Sequence, residues 1–201
     1  IRLYNYSLRM YKKGLFEQAI SPLIKSLSIA PDFPWALNLI GVVLWEQGNY
    51  KDAVEAFHKA LAFDEKNEAV HFNYGQLLFE NEKYQEAEKH LTQALELDDA
   101  IAEAHYIMGL LYKDTNRPDK ALIELKTALQ LFENGKIRST GYSPSFLRIS
   151  TLYMLSKLYE QAGDDRRAFA LLQDATRIAL GVKGRTDKGK VYKSKKLMLY
   201  E

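Results

Sequence analysis

Cysteine is absent from the chain. Disulfides, thiolate metal sites and cysteine nucleophiles are thereby excluded. Five prolines and 11 glycines are too few for a collagen-like or low-complexity chain. No apolar run reaches the roughly 18 residues that a membrane-spanning helix needs, and no secretory signal pattern opens the sequence. Ile1 instead enters a helical pattern at once, which reads as an excised segment with any targeting sequence lying upstream. A reducing compartment fits the lack of cysteine, so a cytoplasmic location is the expectation.

What is there is ordinary for a folded protein. Of 201 residues, 47% are hydrophobic and 27% charged, which rules out wholesale disorder. The length suits one compact domain or a short repeat array. The net charge of +2 is unevenly placed. Residues 181–201 hold seven of the 28 basic residues and two of the 26 acidic ones, leaving 21 basic and 24 acidic residues upstream. A mildly acidic body therefore carries a basic tail.

The strongest signal is internal repetition. Gly41, Gly75 and Gly109 lie 34 residues apart, and Ala53, Ala87 and Ala121 follow each by 12. Ala60, Ala94 and Ala128 follow by 19. One period upstream stand Ser7, Ala19 and Ser26, and a fifth copy, out of step, holds Ser156, Ala168 and Ala175. Each unit has two apolar-periodic stretches, such as Trp35–Gln47 and Tyr50–Phe63, joined by a short polar turn such as Gly48-Asn49 or Asn81-Glu82. That is a helical hairpin. The small residue of the Gly41 class lets two helices cross closely, with the Ala53 class expected to supply the facing gap.

This pattern resembles the tetratricopeptide repeat family over about residues 1–181. The family's eighth-position small residue matches Ser7, Gly41, Gly75, Gly109 and Ser156. Its twentieth-position alanine matches Ala19, Ala53, Ala87, Ala121 and Ala168, and its twenty-fourth-position large apolar residue matches Leu23, Phe57, Leu91, Leu125 and Leu172. The family's final proline is present only as Pro31, with Glu65, Asp99 and Glu133 elsewhere. The resemblance implies an all-α, right-handed superhelical solenoid of antiparallel helix pairs. Repeats fall near 1–33, 34–67, 68–101, 102–131 and 149–181.

Two segments interrupt the array. The spacing from Gly109 to Ser156 exceeds the period by 13, and the excess is expected around 132–145, which carries Gly135, Gly141 and Pro144. It reads as a linker or as a loop beside a binding face. Ser143 and Pro144 look like an N-cap and a first helical residue. The second segment is the basic tail, 182–201. Lys190–Tyr200 reads as a C-terminal capping helix with a solvated basic side. Its sharper alternative is contact with nucleic acid or anionic membrane surface, which would fall steeply with salt.

Catalytic signatures are missing. His58, His71, His90 and His105 form no HExxH or comparable ligand pattern and read as packing residues, with His71 and His105 at the same repeat position. Gly184–Lys190 has the spacing of a phosphate-binding loop, but Val191 stands where magnesium binding needs Ser or Thr, and no strand precedes it. There is no GxSxG or GxGxxG motif. No catalytic residue, metal or cofactor is expected within these residues.

In the family, the first helix of each repeat lines a concave groove. The matching positions here are Tyr4, Asn5, Leu8, Tyr11 and Lys12, then Trp35, Asn38, Leu39, Val42, Trp45 and Glu46. Next come Phe72, Asn73, Gln76, Phe79 and Glu80, then Glu103, Tyr106, Ile107, Leu110, Lys113 and Asp114, and last a more polar set, Ser150, Tyr153, Met154, Lys157 and Gln161. This face is apolar, and Tyr11, Trp45 and Phe79 recur every 34 residues as a ring ladder. Exposed apolar area of this kind marks a partner site, and the asparagines suit an extended peptide backbone; the alternatives are that some of these aromatics pack between helices as core, or that the basic tail or upstream chain fills the groove in cis. Glu46, Glu80 and Asp114 would form an acidic edge. The carboxylate clamp with which some family members hold chaperone C-termini is not matched, since only Asn73 fits its pattern. The expectation is a non-catalytic adaptor or co-chaperone that binds a protein or peptide with apolar or aromatic anchors. The alternatives are tail-driven nucleic-acid or membrane binding, and the scaffold part of a larger enzyme.

Overall fold

The computed structural model describes residues 2–135 and 143–184. They form α1 (Arg2–Lys12), α2 (Phe16–Ile29), α3 (Pro34–Glu46), α4 (Tyr50–Phe63), α5 (Glu68–Glu80), α6 (Tyr84–Leu97), α7 (Ala102–Asp114), α8 (Pro118–Glu133), α9 (Pro144–Gln161) and α10 (Asp165–Gly184). No strand occurs among the described residues, and the all-α expectation holds. The chain divides into two compact units, Ile1–Asp99 and Ala100–Glu201. The first holds the hairpins α1/α2, α3/α4 and α5/α6; the second holds α7/α8 and α9/α10. The expected capping helix at 190–200, the phosphate-loop look-alike beyond Gly184 and residues 136–142 of the insertion lie outside the described residues.

Every hairpin turns in the same way. The residues at the turn, Gly14, Gly48, Glu82, Asn116 and Gly163, all have positive φ, between 56° and 80°. In each, the next N–H reaches back to the carbonyl five residues earlier: Leu15 to Met10, Asn49 to Leu44, Lys83 to Leu78, Arg117 to Tyr112 and Asp164 to Tyr159, at 2.7–3.0 Å. This is the Schellman closure, which satisfies carbonyls that the helix end orphans. A left-handed backbone suits glycine at Gly48 but costs an L-residue such as Glu82, at φ 59°, roughly 1–2 kcal/mol. Glu82→Gly is therefore expected to stabilise the fold by about 1 kcal/mol. Thermal unfolding would show this as a rise of about 2–4 °C; a fall would mean that the Glu82 side chain makes a compensating contact.

The helix crossing is as tight as the repeated small residues require. A Cβ built on Gly41 would lie 2.7 Å from the Phe57 ring, one on Gly75 2.8 Å from Leu91 Cγ, and one on Gly109 2.5 Å from Leu125 Cγ. The facing residues are thus the Phe57, Leu91 and Leu125 class rather than the alanines expected from spacing. Ala53, Ala87 and Ala121 are fully buried nearby in the sequence of the same second helices. Ser7 takes the small position in the first hairpin and Ser156 in the fifth. Ser156 Oγ donates to the Tyr153 carbonyl at 2.7 Å, whereas Ser7 Oγ is buried without a hydrogen-bond partner. Ser7→Ala removes that unmatched hydroxyl and keeps the volume, so a gain of about 1 kcal/mol is expected in urea unfolding. A loss would show that a partner serves this hydroxyl.

The helix ends do not need the missing prolines. α2, α4 and α6 stop in register at Ile29, Phe63 and Leu97, and the capping residues Ala30, Asp64 and Asp98 all turn to φ between −134° and −151°. The insertion changes the fourth and fifth hairpins. α8 has 16 residues against 14 in α2, α4 and α6, and α9 has 18 against 13 in α3, α5 and α7. Part of the extra length is therefore helical rather than loop. The reason is local: Ser143 Oγ accepts from Phe146 N at 3.1 Å and Pro144 occupies the first turn, so α9 nucleates early. In this unit Tyr159 on α9 is met by Lys126 of α8 and Arg167 of α10, 5.5 and 5.4 Å from its ring centre.

Candidate functional site

In the first unit the leading helices α1, α3 and α5 are neighbours in order. Two side-chain hydrogen bonds join α3 to α5. Trp45 Nε1 donates to Glu80 Oε2 at 3.0 Å, and Asn73 Nδ2 donates to Asn38 Oδ1 at 3.0 Å. Each links one repeat to the residue 35 further on, so consecutive leading helices present one joined surface. Spacing alone had assigned Glu80 to an acidic edge and the asparagines to a peptide backbone; here they serve each other and Trp45. Asp114, in the second unit, lies 2.7 Å from the neighbouring Lys113.

The surface is narrower than the sequence suggests. On α3, Asn38, Leu39, Val42 and Trp45 are buried, and Leu39 belongs to the core cluster built from Met10, Ala19, Leu23, Ala36 and Val43. Tyr4, Leu8 and Tyr11 pack half-buried against that cluster. Phe72 on α5 is buried as well. Accessible along this face are Asn5 and Trp35, the latter 42% exposed, with Leu8, Tyr11, Asn73, Gln76 and Phe79 half-buried. Tyr11 and Phe79 each rest on an aromatic ring of their own hairpin, Phe16 at 5.9 Å and Tyr84 at 6.0 Å. In the second unit Tyr106 and Ile107 are buried and Leu110 half-buried. A leading helix is covered by its own partner and by its neighbours, and on α3 even the middle of the expected groove face, Val42, becomes interior.

Three of the four histidines find partners within their own hairpins, and His58 Nε2 meets the Tyr74 hydroxyl of the next hairpin at 3.0 Å. His71 Nδ1 meets His90 Nδ1 at 2.9 Å, and His105 Nδ1 meets Glu124 Oε2 at 2.6 Å. Both pairs span 19 residues, a signal that the repeat period contained and that sequence reasoning passed over. Among the described residues, no group of three or more His, Asp or Glu is placed to hold a metal ion, and no helix is long and apolar enough to cross a membrane.

Family models named Tetratricopeptide repeat match residues 32–100 and 72–136. The chain belongs to the tetratricopeptide repeat family. Solved structures carry the same fold. A crystal structure of MamA is similar at a TM-score of 0.72 and 22% identity, over 89% of this chain and 97% of that one. MamA 41-end from Desulfovibrio magneticus RS-1 is similar at 0.72 and 21%, over 89% and 94%. PilF of Pseudomonas aeruginosa is similar at 0.73 and 25%, over 90% and 83%. No curated protein sequence matches the chain. As a tetratricopeptide repeat protein, the chain is a protein–protein interaction scaffold.

Proposed function

We propose that this tetratricopeptide repeat chain acts as an adaptor or co-chaperone, without catalysis of its own. Its partner is an extended peptide or amphipathic helix of another protein, laid along the leading-helix face of residues 1–99. The observation that carries this reading is the joined surface of α3 and α5, fastened by the Trp45–Glu80 and Asn38–Asn73 bonds. That fastening fixes the spacing between Trp35, Asn73, Gln76 and Phe79 before any guest arrives, which lowers the ordering cost of binding. Two accessible aromatic side chains flanked by amides suit a guest with apolar or aromatic anchors and backbone groups to satisfy.

A displayed random-peptide library panned against the protein tests the reading. The expected result is an enriched set sharing an apolar or aromatic anchor, whose binding survives moderate salt and is lost in a Trp35→Ala/Phe79→Ala variant. Enrichment of basic-tail ligands alone, with binding that collapses between low and moderate ionic strength, would favour electrostatic capture instead and overturn it.

A further inference from the structure

Five rings meet where the second hairpin packs on the third. His58 and Phe57 come from α4, His71 and Tyr74 from α5, and His90 from α6. The ring centres of Tyr74 and His90 are 4.5 Å apart, those of Tyr74 and His58 5.2 Å, and those of His71 and His90 5.2 Å. Hydrogen bonding dictates where the protons sit. His71 Nε2 faces the Glu65 carbonyl at 2.9 Å, and a carbonyl only accepts, so Nε2 carries the hydrogen. In the neutral ring His71 Nδ1 is then a lone pair. The 2.9 Å contact to His90 Nδ1 requires His90 to donate from that nitrogen. The pair holds one proton between two facing nitrogens.

We propose that the His71–His90 pair is an acid-sensitive clasp, which fastens α5 to α6 while neutral and lets go as the pair takes up protons; the His71 Nε2–H bond to the Glu65 carbonyl of the α4–α5 connection stays in either state. A first added proton puts a cation on His90 inside the ring cluster. A second, on His71 Nδ1, sets two N–H groups face to face and abolishes the bond. Around the pair stand His58 of α4, Tyr74 of α5, and Glu86 and Lys89 of α6. The Glu86 carboxylate acts on Tyr74, whose hydroxyl is held above its ordinary range first by burial and then by that charge. His90 is pulled down to about 4, first by burial and then by His71, Lys89 and His58. An unfolded chain's histidine takes its proton near 6.5. Between those values the unfolded state holds more protons than the folded one. Stability contributed by the neutral His90 ring is therefore full above about 6.5 and is lost as pH falls towards about 4. The fourth hairpin makes the opposite choice at the same two positions. There His105 faces the Glu124 carboxylate at 2.6 Å, and a proton on the ring strengthens that contact.

Two measurements test the clasp. Ring nitrogen shifts of the native protein report tautomers directly. The expected pattern at neutral pH is an Nε2–H ring at His71 and an Nδ1–H ring at His90, with His90 staying neutral to below about pH 5. Thermal unfolding across the same range supplies the second. His90→Asn keeps a donor near the Nδ1 position but cannot titrate, so its midpoint should fall distinctly less on acidification than the native protein's. Amide exchange at acid pH should lose protection in α5 and α6 of the native protein while α7 to α9 stay protected. A His90 midpoint near the ordinary histidine value, an Nε2–H tautomer at His90, or an identical pH slope in His90→Asn would each overturn the proposal. The nitrogen shifts keep it falsifiable even if the variant folds poorly.

Discussion

Gly109→Val is expected to lower the unfolding free energy by roughly 3 kcal/mol, the upper end of what overpacking a core costs. The first atom of the new side chain alone would stand 2.5 Å from Leu125 Cγ, 2.7 Å from Leu125 Cδ2 and 3.3 Å from the Leu125 backbone nitrogen. Leu125 is fully buried and has no room to retreat, and the backbone contact cannot be relieved by a rotamer change. Helix propensity offsets little of this, because valine gains less than about 1 kcal/mol over glycine in a helix. For a chain of this length the loss corresponds to a drop of about 6–12 °C in the unfolding midpoint. The mechanism is identified by a double-mutant cycle. Leu125→Ala alone should cost about 2–5 kcal/mol. Combined with Gly109→Val, the two losses should fall short of their sum by at least about 1 kcal/mol, since each variant relieves the other. Strict additivity would mean that the valine is accommodated by moving α7 away from α8 and that the crossing is less constrained than its distances imply.

That crossing also marks how far the sequence could be read. A 34-residue period in Gly41, Gly75 and Gly109 announces a helix pair, because nothing but a close backbone approach needs so small a residue at so fixed a spacing. Spacing points to the alanines of the Ala53 class as its contact partner, and the structure instead picks the Phe57, Leu91 and Leu125 set four residues further on. The hairpin turns were partly hidden. Gly14, Gly48 and Gly163 advertise a left-handed backbone, but Glu82 and Asn116 adopt it too, and only their place in the period gives them away. The candidate face was the least legible feature. At 100° per residue the six chosen positions of a leading helix cover an arc of about 120°, and periodicity cannot say how much of that arc neighbours will cover. α1, at the start of its unit, leaves Asn5 exposed; α3, with a leading helix on either side, buries Asn38, Leu39, Val42 and Trp45 together. Burial of these residues depends on helices a full period away, which no local pattern encodes.

The variant carrying both Trp35→Ala and Phe79→Ala is expected to weaken capture of a selected peptide roughly 100- to 1,000-fold. Truncating an aromatic anchor at the centre of an interface costs at least about 2 kcal/mol, and each 1.4 kcal/mol is tenfold in Kd. The choice of residues follows from their accessibility. Trp35 is 42% exposed and Phe79 half-buried, so their side chains are available to a guest and their loss leaves the core of the first unit intact. Trp45 is the wrong probe although it belongs to the same ring series. Its indole is buried and donates to Glu80, and Trp45→Ala should cost about 3–5 kcal/mol of stability by emptying the interior. Loss of binding in that variant would report unfolding as readily as recognition. Ile123→Ala supplies the counterpart, since Ile123 is 63% exposed on α8, a second helix of the other unit, and neither affinity nor stability should move. Measured by titration calorimetry on folded protein, an unchanged Kd in the double variant, or an equal loss in Ile123→Ala, would take the guest off the leading-helix face.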